Sequence, residues 1–172
     1  MSTTTIIHTK DQWQPYRDKH LKSTDTTLGF VPTMGHLHDG HESLIAKSRQ
    51  QNTHTIVSIF VNPTQFNSPQ DFQHYPKTLD EDVKKLNQWQ VDYLFFPEQQ
   101  ELYPGGDQFR LEENTLAQIL EGPCRPGHFS GVLTVVLKLL NILKPTRAYF
   151  GEKDYQQLHL IKNMVQEFFL PV

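Results

Sequence analysis

The sequence predicts a three-layer α/β fold with a mostly parallel sheet, and three observations carry that prediction. Short apolar segments rich in β-branched and aromatic residues alternate with longer segments of helical composition. One of them, His54-Thr55-Ile56-Val57-Ser58-Ile59-Phe60-Val61, is nearly continuous in apolarity, as a strand covered on both faces requires. Two glycine-bearing turns each lead from such a segment into a helix, and in a parallel sheet turns of that kind open at the carboxyl ends of the strands, where ligands bind.

The elements follow in order. Thr9 is placed to cap a helix over residues 10–21, although Pro15 sits best in a first turn. Residues 27–31 read as a strand and residues 42–49 as a helix that ends near Gln51 and Asn52, with asparagine suited to a left-handed stop. The strand over 54–61 runs into the turn Asn62-Pro63-Thr64-Gln65-Phe66-Asn67, whose proline ends the ladder. Residues 68–78 are polar and proline-punctuated, a mobile loop. Residues 79–90 make an amphipathic helix with Val83 and Leu86 inward and Asp80, Glu81 and Asp82 in its first turn. The helix dipole accounts for those acids there, and magnesium binding is the other reading of them. A strand over 91–97 closes on proline. Residues 98–110 form a loop, 115–120 a short helix started by Asn114 or Thr115, and 121–131 are too broken by glycine and proline for a regular element. Residues 132–143 are apolar nearly all round except for Thr134, Lys138 and Asn141, which marks a buried helix. The final helix carries Leu158, Ile161, Val165 and Phe168 on its apolar side and runs to about residue 169.

Composition bounds the function. A chain of 172 residues suffices for one domain with a sizeable core. A net charge of −3 argues against a general nucleic-acid binder, which needs a basic excess. The single cysteine, Cys124, excludes an intrachain disulfide and points to the cytoplasm. Residues 1–10 lack the apolar stretch of a signal peptide, and no run approaches the roughly 20 apolar residues of a membrane helix. A small polar substrate is the natural partner.

The first glycine turn, Pro32-Thr33-Met34-Gly35-His36-Leu37-His38-Asp39-Gly40-His41, holds the most chemistry. Gly35 and Gly40 allow close backbone approach or positive φ, and free N–H groups at the following helix start make an anion site. His38 and His41 flank Gly40, so both imidazoles can face one place and donate hydrogen bonds to phosphate oxygens. Zinc is the competing use of clustered histidines, weakened by the remote cysteine and the lack of an HExxH pattern. The second turn, Gly151-Glu152-Lys153-Asp154, offers close approach at Gly151, a mobile ammonium for a triphosphate at Lys153, and at Asp154 either a ribose acceptor or a helix cap. Gln157 lies one helical turn beyond Lys153 and faces the same way. Gln65 can both donate to and accept from a small polar substrate. Arg125 and His128 read equally as solvated loop residues or as cations reaching a carboxylate or phosphate.

On these residues a resemblance can be stated. HDGH at 38–41 resembles the HxGH signature of the nucleotidyltransferase superfamily, which includes class I aminoacyl-tRNA synthetases. The longer PTMGHLHDGH, followed in order by SIFVNPTQF, YPKTLDED, EGPCRPGHFSGVLTVVLKLLNILKP and GEKDYQQL, resembles the pantothenate synthetase family. The resemblance implies a Rossmann-like version of the predicted fold and condensation of pantoate with β-alanine at the expense of ATP, through a pantoyl-adenylate, releasing pyrophosphate and AMP. It implies ATP binding by Met34, Gly35, His36, Leu37, His38, Asp39, Gly40, His41, Gly151, Glu152, Lys153 and Asp154. His41 would be the proton donor, with His38 beside it on the phosphates. Gln65 and Gln157 would hold pantoate, Gln65 would also touch β-alanine, and Mg2+ would ride on the ATP phosphates with no all-protein metal site. A homodimer is also implied. Family members continue into further strands, a serine-rich loop with an arginine and a smaller C-terminal domain. Residues 1–172 are therefore expected to be the N-terminal nucleotide- and pantoate-binding domain, weakly active or inactive alone. Two alternatives stay open: a cytidylyl- or adenylyltransferase of the same superfamily, and a silent nucleotide- or metal-binding module.

Overall fold

Strands β1 (Thr5–Ile7), β2 (Leu28–Thr33), β3 (His54–Ile59), β4 (Tyr93–Phe95) and β5 (Arg147–Ala148) pair, all in parallel, in the order β1-β4-β3-β2-β5. The computed structural model describes residues 3–21, 23 and 25–172; Met1 and Ser2, the head of the polar N-terminal stretch, lie outside them. The helices are α1 (Lys10–His20), α2 (Asp39–Gln51), α3 (Pro69–Gln73), α4 (Leu79–Gln88), α5 (Gln99–Leu102), α6 (His128–Leu143) and α7 (Tyr155–Glu167).

Side-chain alternation sorts the core into two layers around the sheet. Leu28, Phe30, Ile56, Tyr93 and Phe95 pack with Trp13 of α1, Leu133 and Leu140 of α6 and Leu160 of α7. Val31, Val57, Ile59 and Leu94 pack with Ile45 of α2 and Leu86 of α4. Phe30, Val31, Ile56, Val57, Leu94 and Phe95 are fully buried, so the central strands are covered on both faces as predicted. Each such side chain contributes on the order of 2 kcal/mol by leaving water.

The topology sets the site. From β2 the chain moves outward to β3 and then β4, but β5 returns to the opposite side of β2. The carboxyl ends of β2 and β5 therefore lie side by side at the switch in direction, where a crevice opens in sheets of this kind.

Several boundaries differ from expectation for identifiable reasons. β1 escapes notice because three residues carry too little pattern, yet it pairs in register with β4 from Thr5 opposite Tyr93 to Ile7 opposite Phe95. Residues 68–78 contain α3, started by the Ser68 hydroxyl accepting from Gln70 and Asp71. The stretch over 98–110 contains α5, while 115–120 reduces to a 3-10 turn at Leu116–Gln118. Asn52 ends α2 in extended conformation (φ −136°, ψ 157°), not left-handed; its amide instead donates to the Ser48 carbonyl and the Tyr149 hydroxyl. α6 starts four residues early, at His128. Its polar stripe fastens a neighbouring segment: Thr134 accepts from the Leu111 N–H, and Lys138 sits 3.7 Å from the Tyr103 ring centre while donating to the Leu102 carbonyl. On α7 the buried face is Leu160, Ile161 and Met164, and Phe168 lies past the end, 49% exposed.

Candidate functional site

The turn between β2 and α2 is built from its own polar groups. Gly35 (φ 84°) and His36 (φ 52°) are both left-handed, which reverses the chain within two residues. A Cβ on Gly35 would lie 3.1 Å from an Asp82 oxygen and 3.2 Å from Ile59, so tight space adds to the left-handed φ in favouring glycine. The Gly35 N–H donates to Thr33 Oγ1 at 3.1 Å, and those of His36 and Leu37 donate to the two carboxylate oxygens of Asp82 at 2.9 and 2.8 Å. Leu37 itself is core, 2% exposed.

The two histidines cap α2 reciprocally. His38 Nδ1 accepts from the Gly40 N–H at 3.1 Å and His41 Nδ1 from the His38 N–H at 3.3 Å, a capping box written with imidazoles where serine and glutamate are usual. A Cβ on Gly40 would meet the His38 ring at 2.9 Å, so this glycine makes room for the ring. Most of the N–H groups expected to be free at this helix start are thus already used, because the His38 carbonyl also takes the His41 and Glu42 N–H groups, and among the described residues the Asp39 N–H alone of residues 38–42 has no partner. Chemistry passes to the other ring nitrogens. A ring nitrogen that accepts an N–H carries no proton, so each neutral ring bears its hydrogen on Nε2. The ring centres lie 4.1 Å apart. Burial, together with neighbouring His38, lowers the His41 pKa from 6.5 to about 4 against the opposing pull of Asp82, so His41 is neutral at pH 7.

The 3-10 turn Pro63–Gln65 after β3 brings in Gln65. Its amide donates to the Met34 sulfur at 3.2 Å and accepts from Asn62 Nδ2 at 3.2 Å, and its carbonyl is bonded by His128 Nδ1 at 2.8 Å. Asn62, 1% exposed, accepts from the Tyr103 hydroxyl at 3.0 Å and donates to the Gly131 carbonyl at 3.1 Å. His128 is thus a buried strut, its pKa lowered chiefly by burial, while Arg125 is exposed and pairs with Glu121 at 3.8 Å.

From the far side come Lys153, Asp154 and Gln157. Gly151 (φ −73°) is extended, with nothing within 4 Å of where a Cβ would project, and Asp154 starts α7 without a side-chain cap bond, so the capping role read for it is not realised. One cleft of about 380 Å³ unites Met34, Gly35, His38, His41, Gln65, Lys153, Asp154 and Gln157 under an apolar wall of Val132, Val135, Val136, Leu139 and Phe150. His36, Leu37, Asp39, Gly40, Gly151 and Glu152 lie outside its lining. A smaller recess shared by Gln65, His128, Asp154 and Gln157 adjoins it.

Comparison with known proteins decides the family. The sequence model for Pantoate-beta-alanine ligase matches residues 5–172. The chain belongs to the pantoate-beta-alanine ligase family. It is 51% identical over 167 residues to the pantothenate synthetase of Legionella pneumophila strain Corby, covering 97% of this chain and 66% of that protein. It is 54% identical over 161 residues to that of Francisella philomiragia, covering 93% and 61%. Among solved structures, the Francisella tularensis pantoate-beta-alanine ligase complexed with beta-gamma ATP and beta-alanine superposes with a TM-score of 0.95 at 50% identity, covering 98% of this chain and 64% of that one. The pantothenate synthetase of Thermus thermophilus gives 0.87 at 42%, covering 98% and 59%. The chain thus spans about two thirds or less of the length of these relatives.

Within a pantoate-beta-alanine ligase fold, the residue that sequence reading most clearly misses is Asp82. At the sequence level it is one of three acids in a helix first turn, but it is 1% exposed and bonded to a loop 46 positions earlier. The apolar wall of α6 reads from sequence only as core. Asp80 and Glu81 are exposed on α4, and among the described residues no three His, Cys, Asp or Glu side chains gather to hold a metal ion.

Proposed function

We propose that residues 1–172 are the nucleotide- and pantoate-binding domain of an ATP-dependent pantoate–β-alanine ligase. The observation that carries this reading is the single cleft at the β2/β5 switch point, where two Nε2–H imidazoles, an ammonium and two amides converge beside an apolar wall. The pantoate carboxylate attacks the α-phosphorus of ATP; the new O–P bond forms as the bond to the β-phosphate breaks, and pyrophosphate leaves. The amine of β-alanine then attacks the acyl carbon, AMP departs with the bonding pair, and the amine loses a proton.

The side chains have matching roles. His38 and His41 donate from Nε2 to phosphate oxygens, and Lys153 adds positive charge, so charge is neutralised as it moves to the leaving group. His41, neutral in the free protein, acts first as a hydrogen-bond donor, and the approach of a polyanion raises its proton affinity toward the proton-donor role. Gln65 and Gln157 hold the hydroxyl and carboxylate of pantoate, with Gln65 next to the entering β-alanine, while Val132, Val136 and Leu139 receive the geminal methyls of pantoate. Met34 to His41 and Gly151 to Asp154 together form the ATP-binding walls.

Among the described residues Asp154 is the one carboxylate lining the cleft, and a donor set this sparse suits Mg2+ carried on the phosphates. Bound there, the ion would neutralise phosphate charge. Among the described residues no helix is long and apolar enough to cross a membrane. Cytoplasmic residence and a homodimer complete the proposal, supported by the exposed free Cys124 and by the family resemblance respectively.

Titration calorimetry on this chain tests the pocket: pantoate and ATP should each bind, and a folded sample that binds neither would overturn it. In the complete protein, AMP should form only when β-alanine is supplied. AMP-free nucleotide transfer would instead indicate a nucleotidyltransferase.

A further inference from the structure

The β2–α2 turn has no regular ladder to hold it, yet it fixes two imidazoles. What fixes it in turn comes from another helix. Asp82, on α4, is 1% exposed and forms no salt bridge with any described residue, an expensive state for a carboxylate unless hydrogen bonds replace water. Three donors do so: the His36 N–H at 2.9 Å, the Leu37 N–H at 2.8 Å and the Thr78 hydroxyl at 3.0 Å. Lys85, one turn further along α4, donates to the Leu37 carbonyl at 2.6 Å. The α4 face thus grips both the N–H and C=O sides of the turn. His36 is held at φ 52°, a conformation costing a non-glycine residue about 1–2 kcal/mol, two residues before the His38 cap.

We propose that Asp82 is a positioning residue for the phosphate-facing histidines: its carboxylate dictates the left-handed Gly35–His36 turn that sets the His38–His41 capping box and aims both Nε2–H groups at the cleft. A first-turn acid serving only the helix dipole would face solvent. This one faces the opposite way. The inference rests on the proposed ATP-binding role of those imidazoles, and the second measurement below does not.

Asp82→Asn keeps the shape but leaves one good acceptor for two N–H groups and sets an NH2 against one of them. In this chain, calorimetry should show ATP binding weakened at least ten-fold, with pantoate, held by Gln65 and Gln157, bound within two-fold of the unaltered protein. Nitrogen-15 NMR of the rings should show His41 changing from a fixed Nε2–H tautomer to a mixture. Equal ATP affinity with an unchanged tautomer would overturn the proposal, as would parallel loss of both ligands in a folded sample. If the unaltered chain binds no ATP, the functional reading fails, while retention or loss of the tautomer in Asp82→Asn still decides the positioning role. Should Asp82→Asn not fold, Thr78→Val removes one of the three bonds; a roughly three-fold loss of ATP affinity alone is then expected, and no loss refutes the idea.

Discussion

The two strand-to-helix turns that face each other across the cleft are built on opposite plans. The β2–α2 turn is fastened before any ligand arrives: the N–H groups of Gly35, His36, Leu37, His38 and Gly40 go to Thr33, Asp82 and the turn's own histidines, and its glycines are hemmed in by side chains. The β5–α7 turn is open. Gly151 has ordinary φ and empty surroundings, Asp154 leaves α7 without a side-chain cap, and the exposed side chains of Lys153 and Asp154 make no hydrogen bond or salt bridge with the described residues. The first turn meets its ordering cost during folding, whereas on the proposed function each side chain of the second would be ordered at binding for about 0.5–1.5 kcal/mol. On the proposed function, the fixed wall would supply geometry and the exposed Lys153 ammonium would follow the charge.

The largest effect should come from the fixed wall's chemistry. In the complete enzyme His41→Ala is expected to slow pyrophosphate release by about 10²–10⁴-fold, the usual worth of a positioned proton donor. Release at a near-normal rate would remove His41 from the mechanism. Gly35→Ala attacks the same wall through the backbone, combining strain at φ 84° with contacts near 3.1 Å. Denaturant unfolding should show a loss of about 2–3 kcal/mol. A near-neutral result would mean that the turn relaxes and is not clamped.

Acid should loosen this turn selectively. The folded pKa of His41 lies near 4, below its ordinary 6.5, so between those values the unfolded chain binds the proton and the folded one resists it. Stability therefore falls as pH drops through that window, and above 6.5 the group adds no slope. His128, lowered in the same direction, acts in the same sense. Thermal melts from pH 7 to 4.5 should show a steeper decline for the natural chain than for His41→Ala, and matching slopes would contradict the half-buried, N–H-accepting state of the ring.

The contrast between the turns also explains what the sequence discloses. The layered fold is legible because strands 54–61 and 27–31 and the helix over 132–143 are long enough for periodicity to speak. The two foci are legible because glycine and histidine cluster there. What stays hidden is long-range. Asp82 looks like Asp80 and Glu81 until the fold brings α4 under the turn, and Asn62, Tyr103 and His128 become a support for Gln65 only once α6 crosses the Pro63–Gln65 turn. The capping box escapes a sequence reading because its signature is sought with hydroxyls and acids.

The open turn yields smaller effects. Lys153→Ala should leave stability within about 0.5 kcal/mol, as befits an exposed side chain. ATP affinity should nevertheless fall several-fold, with steeper loss at low salt where the ammonium counts most. Unchanged affinity would assign the phosphate charge to the imidazoles alone.

Gly151→Ala is the finest test, because folding gives glycine no evident reason to be there. At φ −73° alanine fits without strain and meets nothing within 4 Å, so the substitution should stabilise the chain by about 0.4–1 kcal/mol through the unfolded state. If ATP affinity falls while stability rises, glycine is kept at this position for the close approach of a ligand, and the open turn is shaped by binding. If both stay level, the openness of the turn is incidental, and only Lys153 and Asp154 connect it to the cleft.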